Sequence, residues 1–141
     1  FWSERAANEA RKYVNVNIAH DGAHSGFRSI ADPSQWDLTL DSKYVHICLN
    51  ETVSGLEFLS DPNLGDRILV ADATSTLLSR PIDIEKYGVI YASGGKNLGP
   101  AGTTMVIVRD DVLGNARKEC PSVFNWSTMA RVFFQFTKLI G

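Results

Sequence analysis

An α/β domain with a mostly parallel central sheet flanked by helices is the fold class this sequence predicts, and three observations predict it. Short runs of β-forming residues at 44–49, 67–71, 87–91 and 103–108 are separated by helix-forming or polar connectors. The run RILVA at 67–71 is apolar at nearly every position, as expected of a strand buried on both faces of a parallel sheet. Two of these runs end in polar side chains, Asn50-Glu51-Thr52 and Asp72, at the C-terminal edge where open α/β sheets bind ligands.

Taken in order, the chain begins with a predicted helix over 4–13, rich in Ala, Glu, Arg and Lys, with Ser3 as its N-cap and Arg11 and Lys12 in its last turn. The alternating run VNVNIA at 14–19 predicts a short strand. A long polar loop follows from 20 to 42, punctuated by Gly22, Gly26 and Pro33. The strand at 44–49 delivers Asn50-Glu51-Thr52, and the turn 61–65 (DPNLG) separates it from the strand ending at Asp72. Residues 82–88 form an amphipathic connector into the strand at 87–91, and Asp110-Asp111 predict the cap of a helix running to about Lys118. No internal repeat, low-complexity tract or interdomain linker stands out.

Composition bounds the function classes. With 141 residues, 44% hydrophobic and 21% charged, the chain has material for a sizeable core. A formal net charge of −2 leaves no basic footprint, so nucleic acid is not an expected partner. No apolar run approaches the roughly 20 residues that span a bilayer, so no membrane association is expected; no charged-then-apolar leader is read at the start, which says little about targeting of a longer parent. Cys48 and Cys120 stand alone and are expected to be reduced thiols in a cytoplasmic protein.

The residue that carries most chemistry is Lys96, a lone lysine in the glycine-lined segment YASGGKNLGPAG at 91–102. It reads as a buried, reactive amine beside a strand end, with Asp72 at the end of another strand. An amine and a carboxylate so placed are what pyridoxal phosphate (PLP) chemistry requires. Lysine closes a Schiff base on the aldehyde, and the carboxylate keeps the pyridine nitrogen protonated so that the ring accepts a carbanion's electrons. The lysine then moves the α-proton, which requires its neutral form, favoured by burial and by a cationic neighbour. Taken singly, each residue has a plainer reading: Lys96 as a solvated loop residue, Asp72 as a turn cap, Thr52 as a turn closer, Trp2 as a core aromatic.

The stretches NETVSGLEF (50–58), ADATSTLLSRPID (71–83), GGKNLGPAG (94–102), VIVRDD (106–111) and ECPS (119–122) together resemble the phosphoserine aminotransferase family of fold-type I PLP enzymes. The resemblance runs from Phe1 to about Ala130, which is read as part of the PLP-binding large domain (1–130), leaving 131–141 as a divergent apolar tail. It implies that Lys96 is the Schiff-base lysine and Asp72 the partner of the pyridinium nitrogen. It implies further that Thr52 hydrogen-bonds the ring oxygen and that Trp2 stacks on the ring face. Gly95 departs from the pattern, because the family usually places glutamine there, within reach of the cofactor phosphate.

The same resemblance implies amino-group transfer from glutamate to 3-phosphohydroxypyruvate in serine biosynthesis, by a homodimer. The family has an upstream segment with a phosphate-binding turn and a C-terminal small domain with a carboxylate-binding arginine. The chain is therefore expected to be an internal piece of a longer enzyme, inactive alone. Two other readings stay open: a non-catalytic product that associates with an intact subunit through the apolar tail VFFQF (132–136), and another fold-type I PLP enzyme such as a desulfurase or an alanine-type transaminase.

Competing motifs fail on inspection. A nucleotide-binding P-loop needs glycine where Ile90 stands and Ser or Thr where Asn97 stands. His20, His24 and His46 lack the spacing of a zinc site and read as loop or strand histidines. The sequons at Asn50 and Asn125 carry little weight, since such triplets arise often by chance.

Overall fold

The computed structural model describes residues 1–133. The chain forms two compact units, Phe1–Ile107 and the segment from Val108 onward.

The first unit is built on a four-stranded sheet with strand order β1-β4-β5-β6, formed by β1 (Val45–Cys48), β4 (Leu69–Asp72), β5 (Val89–Ser93) and β6 (Thr104–Val108). β1 pairs parallel with β4, and β4 pairs parallel with β5, as the apolar runs predict. The register sets Cys48, Asp72 and Tyr91 side by side at the C-terminal edge. A two-stranded antiparallel ribbon, β2 (Asn50–Glu51) with β3 (Leu56–Glu57), follows β1 directly.

Burial explains why these strands form. Ile47, Leu49, Leu69, Ala71, Ile90 and Ala92 make one apolar cluster, against which Trp36, Leu38, Phe58, Leu98 and Ile107 pack. Small residues, Ala71, Ala73 and Ala92, are wholly buried. Connectors are tied by polar contacts: Tyr87 donates its hydroxyl proton to Asp61 at 2.6 Å, and Arg80 donates to the Phe58 carbonyl at 3.0 Å.

Helix α1 (Trp2–Ala10) precedes the sheet and packs on β1. It is shorter than the predicted 4–13, and its N-cap is Phe1, with no side-chain cap. Ser3 lies inside the first turn, so its hydroxyl is not the cap; it donates instead to Glu51 at 2.6 Å. The predicted strand over 14–19 does not form. Those residues lie largely exposed, and their polar anchors run elsewhere: Asn17 donates its amide to the Asp37 carbonyl at 2.6 Å, and the Asp37 amide to the Ala19 carbonyl at 2.8 Å. The long loop contains two 3₁₀ turns, Gly22–Ser25 and Pro33–Gln35, capped by the carboxylates of Asp21 and Asp32. The connector before β5 contains a third, Ile84–Lys86.

In the second unit, the helix predicted from Asp110 to about Lys118 is only a 3₁₀ turn, Asp110–Val112. Gly114 takes φ +84°, and the Asn115 side-chain amide donates to the carbonyls of Asp111 and Val112, which ends the turn before an α-helix can propagate. A further 3₁₀ turn, Ser122–Phe124, leads to helix α2 (Trp126–Phe133), where Asn125 accepts from the Ser127 amide. Residues 134–141, most of the predicted tail, lie outside the described residues.

Candidate active site

The sheet's C-terminal edge gathers the residues that the sequence singles out. β5 ends at Ser93 and the chain turns at once through Gly94 and Gly95. A Cβ on Gly94 would lie 2.1 Å from the Pro100 carbonyl oxygen and 3.0 Å from that of Thr103, so only glycine fits there. Gly95 has φ +88°, a left-handed conformation that L side chains rarely adopt. The Gly94 amide donates to Thr103 and the Gly95 amide to Gly99, each at 2.6 Å, so both close the turn internally.

That turn presents Lys96. Its ammonium donates to the Thr52 hydroxyl at 2.9 Å and lies 5.4 Å from the centroid of the Trp2 ring. Arg5, one turn along α1 from Trp2, places its guanidinium 5.7 Å from the same ring, so two cations face one indole. The expectation of a buried amine is overturned in this chain: Lys96 is exposed, with the Thr52 hydroxyl and the Trp2 ring against its amine. Thr52 is exposed, and Trp2 is 39% exposed.

Asp72, at the last position of β4, lines an open groove of about 510 Å³ with Trp2, Arg5, Ala6, Asn8 and Glu9. One of its oxygens accepts from the Thr74 amide at 2.9 Å, so the turn-capping role and the site position coexist. Behind it, His46 and the Tyr91 hydroxyl are hydrogen-bonded at 2.9 Å, with their rings stacked. Burial keeps His46 below the usual histidine range, partly opposed by the Asp72 charge. Burial also raises the Tyr91 phenol, with the Asp72 carboxylate adding to the effect, so it stays protonated. Burial likewise pushes the Cys48 thiol up to about 11.

Lys96, Thr52 and Trp2 are thus brought into contact, and Asp72 shares a groove with Trp2. Gly95 shapes the turn and presents no side chain to a ligand. Sequence reasoning missed Glu51, which fixes the start of α1, and the His46–Tyr91 pair behind Asp72. Glu51 lies within a motif that was recognised, but its partners are 48 and 49 residues away, which no local pattern reveals. Among the described residues, no group of His, Cys, Asp and Glu is arranged to hold a metal ion. No described helix is long and apolar enough to cross a membrane.

This arrangement of a largely parallel sheet, with amine and carboxylate at its C-terminal edge, is the fold-type I large-domain architecture of PLP-dependent aminotransferases. The chain belongs to the aminotransferase class-V family, whose profile matches residues 1–131. It is 50% identical over 129 residues to the phosphoserine aminotransferase of Herminiimonas arsenicoxydans, covering 92% of this chain and 36% of that protein. The solved phosphoserine aminotransferase from Bacillus circulans subsp. alkalophilus superposes with a TM-score of 0.88 at 32% identity, over 93% of this chain and 36% of that one. The PLP-bound phosphoserine aminotransferase from Trichomonas vaginalis gives a TM-score of 0.77 at 33% identity, over 93% of this chain and 38% of that one. The chain therefore spans about a third of the length of these relatives.

Proposed function

We infer that this chain is the cofactor-ring-binding segment of a phosphoserine aminotransferase, a PLP enzyme that moves an amino group from glutamate to 3-phosphohydroxypyruvate. The products are O-phosphoserine and 2-oxoglutarate. The observation that carries the reading is the convergence of Lys96, Thr52 and Trp2, with the Lys96 amine 2.9 Å from the Thr52 hydroxyl and 5.4 Å from the Trp2 ring centroid.

The donor set fits the ring half of the cofactor. Lys96 offers an amine for the aldehyde, Asp72 a carboxylate for the pyridine nitrogen, Thr52 a hydroxyl for the ring oxygen and Trp2 a flat face. When bound, PLP supplies an electrophilic aldehyde and an electron sink for the substrate's α-carbon. Lys96 holds the proton that moves at Nζ, and the Thr52 hydroxyl keeps that nitrogen oriented. Trp2 limits the tilt of whatever lies against it. Asp72 stands at the sheet edge, with the protonated Tyr91 hydroxyl and His46 behind it.

The phosphate half is less provided for. The Gly94 and Gly95 amides close their own turn, and Gly95 has no side chain where the family usually has glutamine. We assign phosphate and substrate-carboxylate binding to the parts of the longer protein outside these residues, and read the isolated 141-residue chain as inactive. The complete protein is read as a cytoplasmic homodimer of the serine-biosynthetic pathway, with 1–130 belonging to its PLP-binding domain.

The test is titration of the 141-residue chain with PLP, borohydride reduction and peptide mapping. Pyridoxyl label confined to Lys96 is the expected result. Label spread over the surface lysines would overturn the site. In the full-length protein, amino transfer from cysteine or alanine, with none to 3-phosphohydroxypyruvate, would replace this reading with another fold-type I activity.

A further inference from the structure

A helix start leaves its first amides without intrahelical partners, and in α1 no neighbouring side chain supplies the cap. The acceptor comes from β2 instead. Glu51 Oε1 accepts from the Ser3 amide at 2.7 Å and from the Ser3 hydroxyl at 2.6 Å, and Oε2 accepts from the Trp2 amide at 3.1 Å. The carboxylate is 15% exposed and opposes the positive end of the helix dipole. Burial alone would raise the Glu51 carboxyl; the bonds from Ser3 and Trp2 outweigh it and hold the group below the usual glutamate range.

The geometry matters because of what adjoins each end of this clamp. The amide it grips belongs to Trp2, whose ring lies over the Lys96 amine. The residue after Glu51 is Thr52, which accepts from that same amine. Glu51 is itself held in register, through the β2–β3 pairing and through its carbonyl, which accepts from the Gly55 amide at 2.8 Å. One short ribbon therefore governs both the hydroxyl and the aromatic face presented to Lys96.

We propose that Glu51 is a positioning residue of this site: by gripping the first amides of α1 it sets the Trp2 ring over the Lys96 amine, in register with Thr52. The importance of that ring for catalysis rests on the reading given under Proposed function. Removal of the carboxylate frees the first turn of α1, and the population with the ring in place falls about fivefold, the effect of losing a typical helix cap.

The experiment uses nuclear magnetic resonance of the 141-residue chain and needs no cofactor. Wild type is expected to show an Overhauser contact between the Trp2 indole and the Lys96 ε-methylene. Glu51→Ala is expected to lose it while the amides of β4 and β5 keep their exchange protection. A contact absent from wild type, or undiminished in Glu51→Ala, overturns the proposal.

Should Glu51→Ala fail to fold, Glu51→Gln decides through pH. The depressed carboxyl contributes above its unfolded value, near 4.5, and its contribution is lost as pH falls through the lower folded value. The wild-type contact should persist below the ordinary glutamate range and then disappear on further acidification. Other ionisable groups here are the Phe1 amine, 3.7 Å from Oε2, the Cys48 thiol, Asp72, Arg5 and Lys96. A weaker contact in Glu51→Gln without that acid step supports the proposal; the same contact with the same step overturns it. PLP trapping at Lys96 of wild type is read separately, so a failed functional assignment is distinguishable from a failed positioning role.

Discussion

β5 and the turn that follows it are contiguous in sequence and opposite in how they are held. In β5, Val89, Ile90 and Ala92 are buried beneath apolar neighbours, and the strand would be recovered by any sequence of similar pattern and volume. Within the next few residues burial gives way to exposure, and Gly94, Gly95 and Lys96 are specified by backbone geometry and single polar contacts. The strand is held by burial, whereas the turn that presents Lys96 is held by backbone geometry.

This contrast can be broken in graded steps. The largest effect belongs to the sheet: Leu69→Ala, at a side chain 2% exposed, should cost about 3 kcal/mol through lost transfer energy and a residual cavity. Urea denaturation followed by circular dichroism measures it, and a cost under about 1 kcal/mol would show that the sheet is not the stabilising region.

Gly94→Ala comes next. Its methyl would strike the Pro100 carbonyl, and the cost should be about 2 kcal/mol, accompanied by loss of PLP trapping at Lys96 as the turn reopens. Gly95→Gln, which restores the residue usual in the family, should cost about 1 kcal/mol because an L side chain is strained at φ +88°. Tighter phosphate binding by that variant at unchanged stability would show that the turn readjusts without strain.

Lys96→Ala is the smallest of these in stability, within about 0.5 kcal/mol, since the side chain is exposed. It should nevertheless abolish site-selective pyridoxyl labelling. The same division applies to the thiols: with Cys48 buried and its thiol pushed up to about 11, alkylation near neutral pH should modify the half-buried Cys120 first. Mass spectrometry of the alkylated peptides decides the order.

Much of the fold was legible in the residues. The apolar runs at 44–49, 67–71, 87–91 and 103–108 each became a strand; in the first three this follows from burial, which requires a continuous apolar run whatever its neighbours are, while the last is largely exposed. Asp72 and Lys96 were legible as strand-end residues for the same reason. The runs that failed, 14–19 and 110–118, are those whose outcome depended on distant or backbone-specific partners. Asn17 found the Asp37 carbonyl, and Gly114 with Asn115 stopped the turn after Asp110.

By itself the sequence determined the class of fold, the places of the four sheet strands along the chain and the position of Asp72 and Lys96 at or just beyond strand ends, since periodicity is a local property. Only the tertiary structure decided that Lys96 stands exposed, that Thr52 and Trp2 converge on it, and that Glu51 holds the start of α1. Those relations join residues 44 to 94 positions apart, and the folding of the sheet, rather than any pattern along the chain, sets which of them meet.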